Sequence, residues 1–527
     1  MGSVEDARAG LAGSDVAGRI WDQDHTLWKP GPDGISDRLG WLQVVEDMRP
    51  LTPELGSFAG EVAADGFRHV VLLGMGGSSL GPEVLRATLG SKAGYPELVV
   101  LDSTVPAAVR AVSDVIDLSQ TLFLVSSKSG GTIEPNALYR HFRTLVDDGR
   151  SFVAITDPGS SLARLGQRDG FRRVFLNDPD IGGRYSVLSY FGLVPAALMG
   201  VDVGELLARA GAMSERCMAA DVTDNPGVAL GTSMATHALA GRGKLTLVTS
   251  PAMGSFSLWV EQLIAESTGK EGTGIVPVAG EPLRPSGSYG ADRIFVYLRL
   301  VGDANTETDA FVDDVESAGH PVVRLELGGA YDVGAEFFRW EFATAVAGSL
   351  LGINPFDQPD VQRAKDRTDA VLAEHAAAGS LPVVETASVQ GLTAQARAGA
   401  YVAILAFIRQ TPQTDRALAA LRTAFMDRYG VATTVGYGPR FLHSTGQLHK
   451  GGPNSGLFLQ LTAGHDHDLA VPGERYTFGT LADAQALGDL MALKEQGRLV
   501  ARVQLGRDGP SDILRLAKVV AATGDAA

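Results

Sequence analysis

The chain has 527 residues, 45% of them hydrophobic and 20% charged, which suits two to four packed domains. Asp and Glu (61) outnumber Lys and Arg (45), a net charge of −16 that argues against bulk nucleic-acid binding and leaves any anionic ligand to local donors. The single cysteine, Cys217, excludes an internal disulfide and reads as a helical packing residue in a reducing cytoplasm; no leader-like start and no apolar run of membrane-spanning length is expected.

Residues 1–66 predict a helical lead-in with loops, including Ile20–Trp28 and Arg38–Met48. An alternating series follows, with strands expected at His69–Leu73, Leu98–Leu101, Leu122–Val125, Phe152–Ile155 and Arg173–Phe175. Helix-length segments separate them, which points to βαβ units and a parallel sheet. A helical stretch runs from Leu188 to about Gly241. A second series starts at Lys244–Thr249 and continues with Arg293–Leu298, Val322–Leu327 and a helix at Ala335–Leu351. A third α/β region begins near Gly379, with strands at Tyr401–Phe407, Thr433–Val435, Leu457–Leu461 and Arg498–Gln504 and helices at Thr414–Tyr429 and Leu481–Glu495. The expected domains are 1–66, 67–215, 216–378 and 379–527. Ala521–Ala527 is expected to fray.

Two glycine- and hydroxyl-rich turns stand out. After the apolar run Val70–Leu73 come Gly74, Gly76, Gly77, Ser78 and Ser79, with Pro82 expected to start a helix. Glycines let backbone approach a ligand, and serine hydroxyls with a helix N-terminus face an anion. After a second apolar strand comes SSKSGGTIEP, Ser126–Pro135, with hydroxyls at Ser127, Ser129 and Thr132, a charge at Lys128, and Glu134 on the helix that follows. Alone, the first turn could serve many ligands, and the second reads by default as an N-capped polar loop. Together they suit a phosphomonoester. A dinucleotide site fits less well: Ser79 replaces the third glycine of that fingerprint, and the second hydroxyl loop has no role in it although Asp102 closes the next strand.

Three further segments carry charge in special settings. Gly182-Gly183-Arg184 lets a tight turn present a guanidinium, a fixed cation able to stabilise an enediolate or a phosphate. Glu266 lies four residues after Gln262, on the same helical face, and a glutamate in an apolar cleft can serve as a general base. In Ile353–Lys365, Pro355 and Pro359 mark a helix boundary with Lys365 one to two turns inside. Singly, each of these reads by default as a surface charge. His465-Asp466-His467 reads as a loop coincidence, since HxH without further ligands does not make a metal site.

GMGGSSLGP, SKSGGT, GGRYS, QLIAESTGK and INPFDQPDVQRAK together resemble the motifs of glucose-6-phosphate isomerases, in the same order and over roughly residues 66–375. That resemblance implies two flavodoxin-like sugar isomerase domains, with a third C-terminal α/β region added here. It implies that Gly77, Ser78, Ser127, Lys128, Ser129 and Thr132 bind the substrate phosphate, with Gln358 near it. Arg184 would steady the enediolate, Glu266 would move a proton between C1 and C2, and Lys365 would assist ring opening. The expected partners are glucose 6-phosphate and fructose 6-phosphate, with no metal or other cofactor, no nucleic acid and no membrane, in the cytoplasm.

The chain departs from the family pattern in three places. Thr268 stands where the glutamate motif has asparagine, and SKSGGT is similar to the loop of aminosugar enzymes rather than to SKTFTT. The family's histidine between the glutamate and the FDQ segment is missing, since His320 there sits in an ordinary turn. A histidine-bearing segment follows Lys365 instead, Phe441–Gly456, and this arrangement resembles the isomerase half of bacterial transaldolase fusions. His443 or His449 is therefore expected to supply the ring-opening acid/base, against the alternative that both are surface residues. A histidine from the chain's own third region leaves the oligomeric state open between monomer and homodimer. Two other readings stay open: an isomerase that also accepts mannose 6-phosphate, and a silent sugar-phosphate sensor.

Overall fold

A computed structural model describes residues 15–221 and 223–522. Among them are three parallel sheets. The first holds β1 (His69–Leu73), β2 (Glu97–Leu101), β3 (Thr121–Ser126), β4 (Phe152–Thr156) and β5 (Arg173–Leu176). The second holds β6 (Lys244–Thr249), β7 (Val276–Val278), β8 (Arg293–Leu300) and β9 (Val322–Leu327). The third holds β10 (Tyr401–Phe407), β11 (Ala432–Tyr437), β12 (Gly456–Ala463) and β13 (Leu499–Leu505).

The strand orders are β2-β1-β3-β4-β5, β7-β6-β8-β9 and β11-β10-β12-β13. Each is the flavodoxin-like order, in which the chain reverses direction beside its first strand and opens a crevice at the carboxyl ends. The α/β class is thus what the alternating pattern predicts, and the third region repeats the order of the first two. The central strands are apolar on both faces because helices cover both; β3, β4 and β10 are buried along their whole length. The one strand the sequence pattern misses is β7. It has three residues with Pro277 in the middle, and proline is tolerated because β7 is an edge.

A second difference concerns Pro82. The helix begins at Gly77, not at the proline, and runs to Leu89 with Pro82 inside it. The glycines and serines of the first turn are themselves its N-terminal residues. Gly76 (φ +55°) precedes them. A Cβ there would lie 2.6 Å from the His443 carbonyl oxygen and 2.9 Å from Gln262 Nε2. A Cβ on Gly77 would overlap the Gly183 carbonyl. These glycines therefore let three distant segments of the protein close on one another, beyond any service to a ligand.

The helix Phe256–Thr268 is the hub. Every residue but Leu258 is buried, including the polar Glu261, Gln262 and Glu266, so these side chains must find their partners inside the protein. It touches the Gly77–Leu89 helix of the first sheet, the Val333–Leu351 helix of the second and the short Gly446–Gly451 helix of the third. The Pro359–Ala378 helix leaves the second region and packs against Phe478–Glu495 of the third, with Gly488 directly facing Thr368. Cys217 is fully buried, and burial pushes its thiol up to about 12. Among the described residues no helix is long and apolar enough to cross a membrane.

Candidate active site

The hub helix presents Glu266 in its last turn, 8% exposed. Gln262, one turn earlier, donates from Nε2 to Glu266 Oε2 at 3.2 Å, the contact expected of i,i+4 residues. Arg184 stands opposite, 3% exposed, with Nη1 3.7 Å from Glu266 Oε1. Its guanidinium is held at all three nitrogens: Nε donates to Ser267 Oγ at 2.7 Å and Nη1 to Gln358 Oε1 at 2.9 Å. Nη2 donates to the carbonyls of Pro355 at 2.6 Å and Asp357 at 3.0 Å. Such a fork cannot rotate, so its charge is fixed beside the carboxylate before any ligand arrives. Lys270 locks the same loop from behind, donating to the Asn354 and Asp357 carbonyls and to the Asp357 carboxylate; burial lowers its ammonium to about 8.

Beside this buried face lies an open cleft of about 290 Å³, the size of a small-molecule site. The hydroxyl loop (Ser129, Gly131, Thr132), Glu134, Lys365, Asp369, His443 and Gln485 line it. Within the loop Ser127 and Thr132 hydroxyls meet at 2.9 Å, and Gly131 N–H donates to Ser129 Oγ at 3.2 Å. Thr132 N-caps the Ile133–Leu145 helix, so hydroxyls, loop backbone and the positive helix end share one corner.

Glu134 sits in the first turn of that helix and is fully buried. His443 Nε2 meets its Oε1 at 2.9 Å, and Gln485 Nε2 donates to the same oxygen at 2.7 Å. Burial pushes the Glu134 carboxyl up, but the His443 ring and, more weakly, Lys365 more than offset this and hold it below its ordinary range. His443 comes from the turn after β11, and its carbonyl accepts from Gln262 Nε2 at 2.8 Å. One glutamine thus touches both Glu266 and His443, and joins the buried face to the cleft.

The structure brings together Arg184 and Glu266, and separately Thr132, Ser129, Lys365 and His443. Ser127 is buried beneath the loop, and Ser78 lies in the first turn of its helix beside Gly77. Three expected residues stand elsewhere. Lys128 turns away, donating to Asp157 Oδ2 at 2.6 Å and to the Pro179 carbonyl at 2.7 Å. Gln358 serves Arg184 rather than the hydroxyl loop. His449, 2% exposed, is packed among Tyr401, Phe441 and Phe458, and burial holds its ring well below the ordinary histidine range. It is a neutral core residue, in a region where exposure was the bland expectation. His465 faces Asp483 at 3.3 Å. Among the described residues no group of three or more His, Cys, Asp or Glu side chains is placed to hold a metal ion.

Residues 24–276 match the model of the phosphoglucose isomerase family. A glucose-6-phosphate isomerase of Rubrobacter xylanophilus is 32% identical over 390 residues, covering 64% of this chain and 89% of that protein. One from Desulfitobacterium hafniense is 30% identical over 374 residues, covering 61% of this chain and 70% of that protein. This chain belongs to the phosphoglucose isomerase family. Among solved structures, a hypothetical protein from Thermus thermophilus aligns with a TM-score of 0.59 at 24% identity, covering 69% of this chain and 95% of that one. A glucose-6-phosphate isomerase from Chlamydia trachomatis aligns with a TM-score of 0.54 at 20% identity, covering 69% and 78%. Both show the fold.

Within the phosphoglucose isomerase frame, sequence reasoning passed over Glu134, Ser267 and Gln485 as site residues and used Gln262 only as a spacing mark. Glu134 had a signal: an acid in the first turn of a helix after a hydroxyl loop, immediately followed by proline. Gln485 had none, as an amide in the middle of an apolar helix.

Proposed function

We propose that this protein interconverts glucose 6-phosphate and fructose 6-phosphate through a cis-enediolate. The observation that carries the reading is the pairing of buried Glu266 with the immobilised Arg184 fork, directly beside a cleft that ends in a hydroxyl loop. Isomerisation removes a weakly acidic proton α to a carbonyl. Glu266 takes it from C2 of the open-chain aldose and returns it at C1, so one carboxylate serves both half-reactions. Arg184 lowers the cost of the negative enediolate without moving. Ser129 and Thr132 on the cleft wall, with Ser127 bonded to Thr132 beneath them, hold the phosphate and so fix the register of C1 and C2, and the same role is assigned to Ser78 and Gly77 from their motif. His443, backed by Glu134, and Lys365 stand on the cleft side, where the ring oxygen must gain or lose a proton before and after the transfer.

Glu134, Arg184, Glu266, Lys365 and His443 come from one chain, so the unit of activity in this reading is a single chain, whether free or in a homodimer. The reading also takes 67–215, 216–378 and 379–527 as three structural units, each built on one sheet, with 1–66 as a lead-in. It places the enzyme in the cytoplasm with its phosphorylated sugars. The test is turnover of fructose 6-phosphate in the presence of a metal chelator, read as glucose 6-phosphate formed. Glu266→Gln should lower kcat by about 10³-fold or more while sugar-phosphate binding persists. A wild-type protein that binds the sugar phosphate without turning it over would defeat the proposal.

A further inference from the structure

The third sheet supplies the site with more than His443. Gln485, on the Phe478–Glu495 helix, is buried with both ends of its amide engaged. Thr104 Oγ1, in the loop after β2, donates to Gln485 Oε1 at 2.7 Å. Gln485 Nε2 donates to Glu134 Oε1 at 2.7 Å, and His443 Nε2 meets the same oxygen at 2.9 Å. The direction of this chain is forced. An ionised carboxylate accepts only, so the amide must turn its N–H₂ to Glu134 and its oxygen to Thr104. For the same reason the His443 nitrogen facing Glu134 must carry a hydrogen. Glu134 Oε2 is buried without a partner among the described residues, so Oε1 alone anchors the carboxylate.

Resting on the isomerase reading, we propose that Gln485 is a positioning residue: through Glu134 it fixes His443 as the Nε2–H tautomer and leaves Nδ1 as the nitrogen that exchanges a proton with the sugar ring oxygen. During ring opening the anomeric hydroxyl gives its proton to solvent in the open cleft, its C1–O1 bond becomes the carbonyl as the C1–O5 bond of the aldose breaks, and O5 takes a proton from Nδ1–H of the imidazolium form of His443, which is left neutral with its hydrogen on Nε2; ring closure runs in reverse. A histidine that flipped or changed tautomer would present the wrong atom. Wrong-tautomer histidines lose large factors in other enzymes without any loss of fold.

The experiment follows the His443 ring nitrogens by long-range proton–nitrogen correlation in ¹⁵N-histidine protein, beside steady-state kinetics. Wild type should show neutral His443 as Nε2–H. Gln485→Met, of similar length but without the donor, should show mixed tautomers. Its kcat on fructose 6-phosphate should fall about 10- to 100-fold with KM within about twofold. Gln485→Glu, of the same shape but set against Glu134, should be worse. In a His443→Ala background, Gln485→Met should cost nothing further. An unchanged tautomer in Gln485→Met, or an undiminished loss in the His443→Ala background, would overturn the proposal. Should Gln485→Met fail to fold, Thr104→Val removes only the donor that orients the amide and must shift the tautomer in the same direction. The tautomer is read without turnover, so a wild type that is inactive yet holds Nε2–H would defeat the isomerase reading and leave the relay standing.

Discussion

The two faces of the site are built on opposite plans. Around Glu266 and Arg184 nearly every donor is already spent on the protein: Ser267, Gln358 and two carbonyls hold the arginine, and Gln262 holds the glutamate. Across Gln262, the cleft beneath Lys365 and His443 is open, and the hydroxyl loop has donors to spare. In the proposed reaction, charge that must act on a transient enediolate is fixed in advance, where it costs no reorganisation. Groups that must meet a cyclic sugar, follow its opening and release it are left facing solvent. The comparison says that substitutions on the closed face should cost chemistry, and that those on the open face should depend on which form of the substrate is offered.

The sharpest break of that comparison is Arg184→Lys. Lysine keeps the charge but cannot span Ser267, Gln358 and the two carbonyls, so kcat should fall on the order of 10²- to 10³-fold with fructose 6-phosphate. Retention of more than about a tenth of the activity would show that a mobile cation suffices. Next comes His443→Ala. With cyclic substrate, kcat should drop about 10²-fold. Proton exchange on the ketose phosphate lacking the 5-hydroxyl, which cannot close a five- or six-membered ring, should be nearly spared. Equal losses on both substrates would move His443 into the proton transfer itself.

A smaller effect, on stability, separates the closed face from the hub helix behind it. Glu261 is buried on that helix, and burial pushes its carboxyl up to about 8; Glu336 is likewise pushed to about 7. Between about pH 5 and 8 the folded chain keeps protons there that the unfolded chain has released. Stability should therefore fall as pH rises through this window, by up to about 1.4 kcal/mol per pH unit for each group. Glu261→Gln removes its share. Urea unfolding across that window should show the variant more stable than wild type at the alkaline end and the two converging toward the acid end. Parallel curves would mean that Glu261 is ionised throughout. The smallest effect is expected from Lys128→Ala. The side chain is spent on Asp157 and the Pro179 carbonyl, so KM should rise less than about tenfold, within the value of a partly exposed ion pair.

Much of this was legible in the chain. Twelve of the thirteen strands follow from apolar runs bounded by turns, and β7 is lost because a three-residue edge with a proline has no period to read. Arg184, Glu266 and Lys365 read singly as surface charges, and it is the resemblance of their motifs, taken together and in order, to those of glucose-6-phosphate isomerases that singles them out. The partners were hidden by distance: Glu134 and His443 are 309 residues apart, and Glu134 and Gln485 are 351 apart. A contact across such a separation leaves no mark on local pattern. Side-chain direction was hidden too. Lys128 belongs to its motif, yet only the neighbouring strand end, with Asp157, determines where its ammonium goes. His443 ends a turn and His449 lies in the short Gly446–Gly451 helix just after it, and only packing separates a cleft-lining ring from a core ring.

The glycine turn at Gly76 closes on His443, a residue translated hundreds of positions later. During synthesis the hydroxyl loop and the first sheet therefore emerge well before the turn that completes them, by tens of seconds at usual rates of about 5–20 residues per second. A nascent chain would be able to hold a phosphate before it could act on a sugar. In the proposed reaction, the third sheet to leave the ribosome switches on the first.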